Sequence, residues 1–244
     1  MSGGPPIVAI DGPAGTGKST AARALAARLD LPYLDTGAMY RALGLLALER
    51  GIDADDRAAA ARLAAEADLA LRRTSSGATE VLLEGEAVDA RIRRPEVGEW
   101  TSRLAVHPEV RARLVELQRD FVRRHGGVLE GRDIGTRVVP ETPYKFFLDA
   151  VPGVRARRRI GELRASGMEV DEAAVERELA ERDARDRSRP ESPLRPAADA
   201  VVVDTTGLTI EEVVDHLERL MRERASAAGR AGTRERGDRR EEEP

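Results

Sequence analysis

The chain has 244 residues, enough for one large domain with insertions or two small ones, and for a substantial buried core. Its 41% hydrophobic and 34% charged residues are a folded-globular composition, and a net charge of −4 excludes the basic footprint of a phosphate-backbone binder, so nucleic acid is not an expected partner. Lack of cysteine excludes a disulfide framework, thiolate zinc and thiol catalysis, and three scattered histidines (His107, His125, His216) argue against a histidine metal cluster.

No apolar run approaches the length that spans a bilayer, and residues 1–6 have neither the charged start nor the apolar centre of a signal peptide. A cytoplasmic chain with no membrane partner is therefore expected. Of 40 basic residues only Lys18 and Lys145 are lysine, which singles out both.

Residues 7–10, Ile-Val-Ala-Ile, are a short apolar run closed by Asp11 and Gly12, the pattern of a strand buried on both faces of a parallel sheet. A glycine-rich turn follows. Ala22, Leu25 and Leu29 then stand at helical spacing, and residues 31–35 offer a second strand, completing a βαβ unit. Residues 37–50 and 57–67 read as helices. From Leu69 the period changes: residues 69–73, 80–84 and 87–88 read as short strands separated by the turn residues 74–79 and 85–86, a small antiparallel meander inserted in the βαβ series.

Helices are expected over 96–104 and 108–124, and strands over 128–130 and 144–149. One charged helical stretch is expected over 152–189, its ten arginines offset by nine acids. A strand at 200–204 and a helix from Thr209 to about Arg224 close the series, with Thr209 and Glu212 spaced as a capping box. Residues 225–244 are polar without periodicity and are expected to be a disordered tail. The order predicts an α/β fold with a parallel sheet core.

Gly12, Pro13, Ala14, Gly15, Thr16, Gly17, Lys18 and Ser19 fit G-x-x-x-x-G-K-[ST] between a buried strand and a helix start. Glycines let successive N–H groups converge on phosphate oxygens, the helix N-terminus adds positive potential, Lys18 bridges the outer phosphates, and Ser19 can ligate Mg2+. With so few lysines, a chain of this composition carries the pattern by chance on the order of once in several hundred. The loop alone admits GTPases, motor ATPases and small-molecule kinases. The guanine-reading Asn-Lys-x-Asp is absent, because neither lysine follows asparagine. Residues 204–207, Asp-Thr-Thr-Gly, match D-x-x-G but read as a strand-to-helix turn.

Residues 10–18 followed by 34–41, Leu-Asp-Thr-Gly-Ala-Met-Tyr-Arg, resemble the bacterial cytidylate kinase family. Residues 131–135 (Gly-Arg-Asp-Ile-Gly), 147–150 (Phe-Leu-Asp-Ala) and 181–189 (Glu-Arg-Asp-Ala-Arg-Asp-Arg-Ser-Arg) follow in the family's order, and the likeness covers roughly residues 6–222. It implies a three-layer P-loop kinase fold with core segments at 6–36, 101–151 and 191–224. A nucleoside-monophosphate domain holding the hairpin insert falls at 37–100, a helical lid at 152–190. The implied reaction moves the ATP γ-phosphoryl group to CMP or dCMP, with ATP and Mg2+ as cofactors. A monomer is expected.

The resemblance also assigns residues. Arg41, Arg132 and Arg189 become clamps for the acceptor phosphate, which guanidinium groups bind bidentately, with Tyr40 beside them. Ser102, Arg111 and Asp133 would contact cytosine, the carboxylate accepting from N4 and the arginine donating to N3 or O2. Arg182 and Asp186, at i and i+4, would hold ribose hydroxyls. Thr20 joins the ATP cradle, and Arg158 and Arg159 resemble lid arginines that reach ATP phosphates. Two departures stand out: Glu130 occupies a place where Asp is common, and Ala14 replaces a frequent serine. Ser19 restores a hydroxyl where the family often has glycine.

The expected chemistry is in-line transfer without a protein nucleophile, with Lys18, Arg41, Arg132 and Arg189 stabilising charge and Asp35 orienting Arg41 or metal-bound water. The alternatives are another P-loop kinase, acting on UMP, AMP or shikimate, or a nucleotide-dependent switch protein.

Overall fold

The protein is described by a computed structural model over residues 5–74 and 79–238. Its strands in chain order are β1 (Ile7–Asp11), β2 (Tyr33–Asp35), β3 (Leu69–Arg73), β4 (Thr79–Leu83), β5 (Glu86–Ala87), β6 (Gly127–Gly131), β7 (Tyr144–Asp149) and β8 (Val201–Asp204). Five of them form a parallel sheet in the order β2-β6-β1-β7-β8, and β3-β4-β5 form a separate antiparallel sheet. The helices are α1 (Lys18–Arg28), α2 (Thr36–Glu49), α3 (Arg57–Glu66), α4 (Pro95–Leu104), α5 (Pro108–His125), α6 (Pro152–Ala165), α7 (Glu172–Ser188) and α8 (Ile210–Asp238).

The two-residue alternation of β1 explains the three layers. Val8 and Ile10 join a core with Leu25 of α1 and Val214 and Leu217 of α8, whereas Ala9 joins Met39 and Leu43 of α2 and Leu114 of α5 on the other face. Both faces are apolar, so the strand reads as a continuous hydrophobic run. Leu69, Val81 and Leu83 of the small sheet enter the same core as α2 and α5. Helices α6 and α7 enclose a small core of their own, Ala156, Ile160, Val175 and Leu179. Where α2 crosses α4, a Cβ on Gly44 would lie 2.5 Å from Thr101 Oγ1, so glycine permits the close approach.

Two expectations need correction. The charged stretch 152–189 is two helices: α6 stops at Ala165, Gly167 takes a left-handed φ of +82, and α7 restarts with Asp171 accepting from Ala174 N at 3.2 Å. The stretch 225–238, expected to be disordered, continues α8; alanine, arginine and glutamate favour helix without any hydrophobic period, and no proline interrupts them. The start of α8 matches the sequence expectation, since Thr209 N donates to Glu212 Oε2 at 2.8 Å and Glu212 N to Thr209 Oγ1 at 3.3 Å. Turn residues 75–78 and the chain ends 1–4 and 239–244 lie outside the described residues.

Candidate active site

β1 runs directly into the glycine loop that α1 terminates. A Cβ on Gly12 (φ +147) would lie 2.0 Å from Leu148 O and one on Gly15 (φ +77) 2.7 Å from Arg155 O, so glycine alone lets the loop lie against β7 and α6. The first-turn amides of α1 have no preceding helical carbonyl to bond, which leaves an N–H surface complementary to phosphate oxygens. Lys18 is buried and donates from Nζ to Pro13 O at 2.5 Å, and Thr16 Oγ1 donates to the same carbonyl at 3.1 Å. Ser19 and Thr20 are exposed. Burial lowers the Lys18 pKa from 10.5 to about 7; Arg132 and Arg182 push the same way, while Glu130 and Asp11 oppose them.

Asp35 ends β2 and begins α2, accepting from Ala38 N at 3.0 Å and from Arg41 Nη2 at 2.6 Å. Beyond the end of β6, Arg132 donates from Nε to Asp186 Oδ2 at 2.9 Å, and Arg189 Nη2 donates to Asp186 Oδ1. Burial by itself would raise Asp186, yet Arg132, Arg189 and Arg182 outweigh it and hold the carboxyl below its usual range. Arg182 has no hydrogen bond or ion pair among the described residues, and burial followed by the charge of Arg132 lowers it to about 10.

These repulsions locate the cluster. Arg132 bears on Lys18, Arg182 and Arg189, and Arg41 bears on Arg182, so five cations share one neighbourhood. The Nε atoms of Arg41 and Arg189, and that of Arg111 beside them, are buried without an acceptor among the described residues. A dianionic phosphate monoester supplies the acceptors and charge that such a group calls for.

Arg111, on α5, donates from Nη2 to Asp133 Oδ2 at 2.5 Å and from Nη1 to Ala105 O at 3.2 Å, with both side chains buried. Its guanidinium carbon stands 5.3 Å from the Tyr40 ring centroid. Burial raises the Tyr40 phenol to about 12. The pair presents a donor beside an acceptor, the polarity that a cytosine edge requires. Ser102 is half-buried on α4 and makes no contact with either partner among those recorded for the described residues.

Several placements settle what the sequence left open. Asp186 pairs with Arg132 and Arg189, not with Arg182. Arg158 points inward, donating to Thr16 O at 3.3 Å and to Thr205 O at 2.6 Å, whereas Arg159 lies exposed with Glu162 at 3.2 Å. Glu130 is buried and accepts from Tyr33 Oη at 2.8 Å. Among the described residues, no cluster of three or more His, Cys, Asp or Glu could hold a metal by itself.

Two functional neighbours escaped the sequence reading. Buried Arg155 donates to Ala14 O at 3.2 Å and Asp183 Oδ2 at 2.5 Å, joining the loop to α7; in a helix crowded with arginines nothing marks it. Asp11 accepts from Ile134 N and Gly135 N, and a carboxylate closing a buried apolar strand was a legible signal.

The family model described as Cytidylate kinase matches residues 8–223. A cytidylate kinase of Symbiobacterium thermophilum is 47% identical over 213 residues, 87% of this chain and 94% of that protein. One of Corynebacterium glutamicum is 50% identical over 223 residues, 91% of this chain and 96% of that protein. A bifunctional pantoate ligase/cytidylate kinase of Synechococcus sp. (strain JA-3-3Ab) is 49% identical over 228 residues, 93% of this chain; the chain spans 42% of that protein's length.

Proposed function

Because the chain belongs to the cytidylate kinase family, we propose that it moves the γ-phosphoryl group of ATP to CMP or dCMP, giving CDP or dCDP and ADP. One observation carries the reading. Consecutive residues Arg132 and Asp133 join the two halves of the site, Arg132 bearing on the loop lysine and binding Asp186, and Asp133 binding Arg111. Donor phosphate, acceptor phosphate and base recognition thereby meet at one dipeptide.

In this proposal the loop amides and Lys18 hold the ATP phosphates, and Arg41, Arg132 and Arg189 hold the acceptor phosphate. Arg182, which repels Lys18 and holds no carboxylate, adds charge between them. Asp186 fixes two of the clamps and faces the ribose, and Arg158 braces the loop through Thr16 O. A phosphate dianion is already a nucleophile, so the protein's contribution is alignment and charge neutralisation, not proton abstraction.

Ser19, exposed on the same helical turn as Lys18, would hold Mg2+. An ion held chiefly by nucleotide phosphates and water takes few ligands from the protein. When bound, Mg2+ supplies charge neutralisation and phosphate orientation.

Asp133 and Arg111 set the base. Uracil presents a carbonyl at position 4 and a donor at N3, which would leave this buried pair unmatched, so strong rejection is expected. Turnover of CMP, dCMP, UMP, AMP and shikimate with MgATP, followed by ADP release, tests the proposal. Comparable rates with UMP and CMP would remove the cytosine reading, and nucleotide retention without transfer would point to a switch protein.

No helix among the described residues is long and apolar enough to cross a membrane. A cytoplasmic monomer belongs to the same proposal, with the oligomeric state checked by light scattering.

A further inference from the structure

Asp11, the last residue of β1, is 4% exposed, and its carboxylate oxygens each accept one backbone N–H: Oδ1 from Ile134 and Oδ2 from Gly135, both at 2.8 Å. Its own main chain continues into Gly12 of the phosphate loop. The amides it holds come directly after Arg132 and Asp133. The β1–β6 ladder ends at the Asp11–Gly131 rung, so no strand pairing ties Arg132 or Asp133 to the donor loop beyond it.

From the other side the stem of Lys145 closes the space: a Cβ on Gly135 would stand 3.2 Å from Lys145 Cγ, 3.3 Å from its Cδ and 3.4 Å from Asp11 Oδ2. The Lys145 ammonium itself reaches Asp199 Oδ2 at 2.6 Å, so this lysine serves as a wall and not as a phosphate ligand. Burial raises the Asp11 pKa to about 7 against the two amide bonds that lower it, so those bonds favour the charged, doubly accepting form.

We propose that Asp11 is a positioning residue for the acceptor nucleotide: its carboxylate sets where Arg132 and Asp133 stand relative to the phosphate loop. Base recognition and acceptor alignment then depend on a side chain outside both nucleotide contacts. The inference rests on the phosphotransfer reading above. Only a carboxylate presents an acceptor to each of the two amides; asparagine would turn an NH2 toward one of them and leave that buried N–H unsatisfied.

Steady-state kinetics of Asp11→Asn test it. KM for CMP should rise about tenfold and the preference for CMP over UMP should fall about fivefold, with KM for ATP within about twofold. A merely structural role would lower the melting temperature and the active fraction without this split. Gly135→Ala presses on Lys145 and on Asp11 Oδ2 while keeping the carboxylate, and should move the same parameters in the same direction by about threefold; it decides the matter alone if Asp11→Asn does not fold. An unchanged CMP KM and CMP/UMP ratio in a folded variant, or equal increases in both KM values, would overturn the inference. Wild-type turnover of CMP is measured alongside, because its absence counts against the functional reading itself.

Discussion

In the proposed donor site, the loop between β1 and α1, an anion would meet main-chain N–H groups and one lysine, all within eight consecutive residues. In the proposed acceptor site it would meet guanidinium groups from α2, from the end of β6, and from α7 and the residue after it, spaced by carboxylates. An amide cradle is nearly neutral and does not titrate, so a side-chain exchange such as Ala14 for serine leaves it intact. A guanidinium cluster is a balance of like charges around Asp35 and Asp186, and it gains most from a dianion. On this proposal the donor site is set by backbone shape and the acceptor site by charge, which makes the second more sensitive to single substitutions on several elements.

The largest effect on catalysis should come from the one charged side chain of the donor loop. Lys18→Ala should lower kcat/KM by on the order of 100-fold, about 2.7 kcal/mol, and retention of more than about a tenth of wild-type activity would break the loop assignment. Asp186→Asn sharpens the acceptor side. With Arg132 and Arg189 left buried around a neutral group, the unliganded protein should lose about 3 kcal/mol, and thermal melts should show CMP restoring more stability than it gives the wild type. Equal CMP shifts in both proteins would argue that no such balance exists.

A smaller effect separates the sites by pH. Lys18 titrates near 7 when folded and at 10.5 when unfolded, so across that window the unfolded chain holds the extra proton. The unliganded protein therefore gains stability from this group as pH rises from about 7 toward 10.5, and carries the full penalty below it. Phosphates that restore the lysine's charge should make ATP binding at pH 8 take up as much as about one proton, read by calorimetry in buffers of different ionisation enthalpy. Zero uptake would mean that Lys18 is already charged without ATP.

The smallest change belongs to exposed Arg159. Its alanine variant should alter KM for ATP by less than about twofold, against about fivefold for Arg158→Ala, and equal effects would undo the inward and outward assignment.

The donor loop was legible because its parts are contiguous and the chain spends one of its two lysines there. Strands β1 and β7 were legible for the same local reason, as apolar runs. The acceptor cluster was named only through family resemblance, and its pairing was not legible at all: Asp186 and Arg182 stand at helical spacing, yet tertiary placement gives Asp186 to Arg132 and Arg189 instead. Arg155 and Arg157 sit two residues apart in a charged helix, and only the first is buried under the loop. The break between α6 and α7 did carry signals, Gly167 and Asp171, which the density of charged helix formers obscured. In the last turns of α8 the absence of a hydrophobic face misled, since propensity by itself extends that helix.

Asp35 holds three posts at once: last residue of β2, N-cap of α2, and anion for Arg41. No linker separates strand from helix, so the junction that fixes α2 to the sheet is itself the carboxylate paired with Arg41. The direction of α2 and the placement of the Arg41 guanidinium are therefore set together at a single residue.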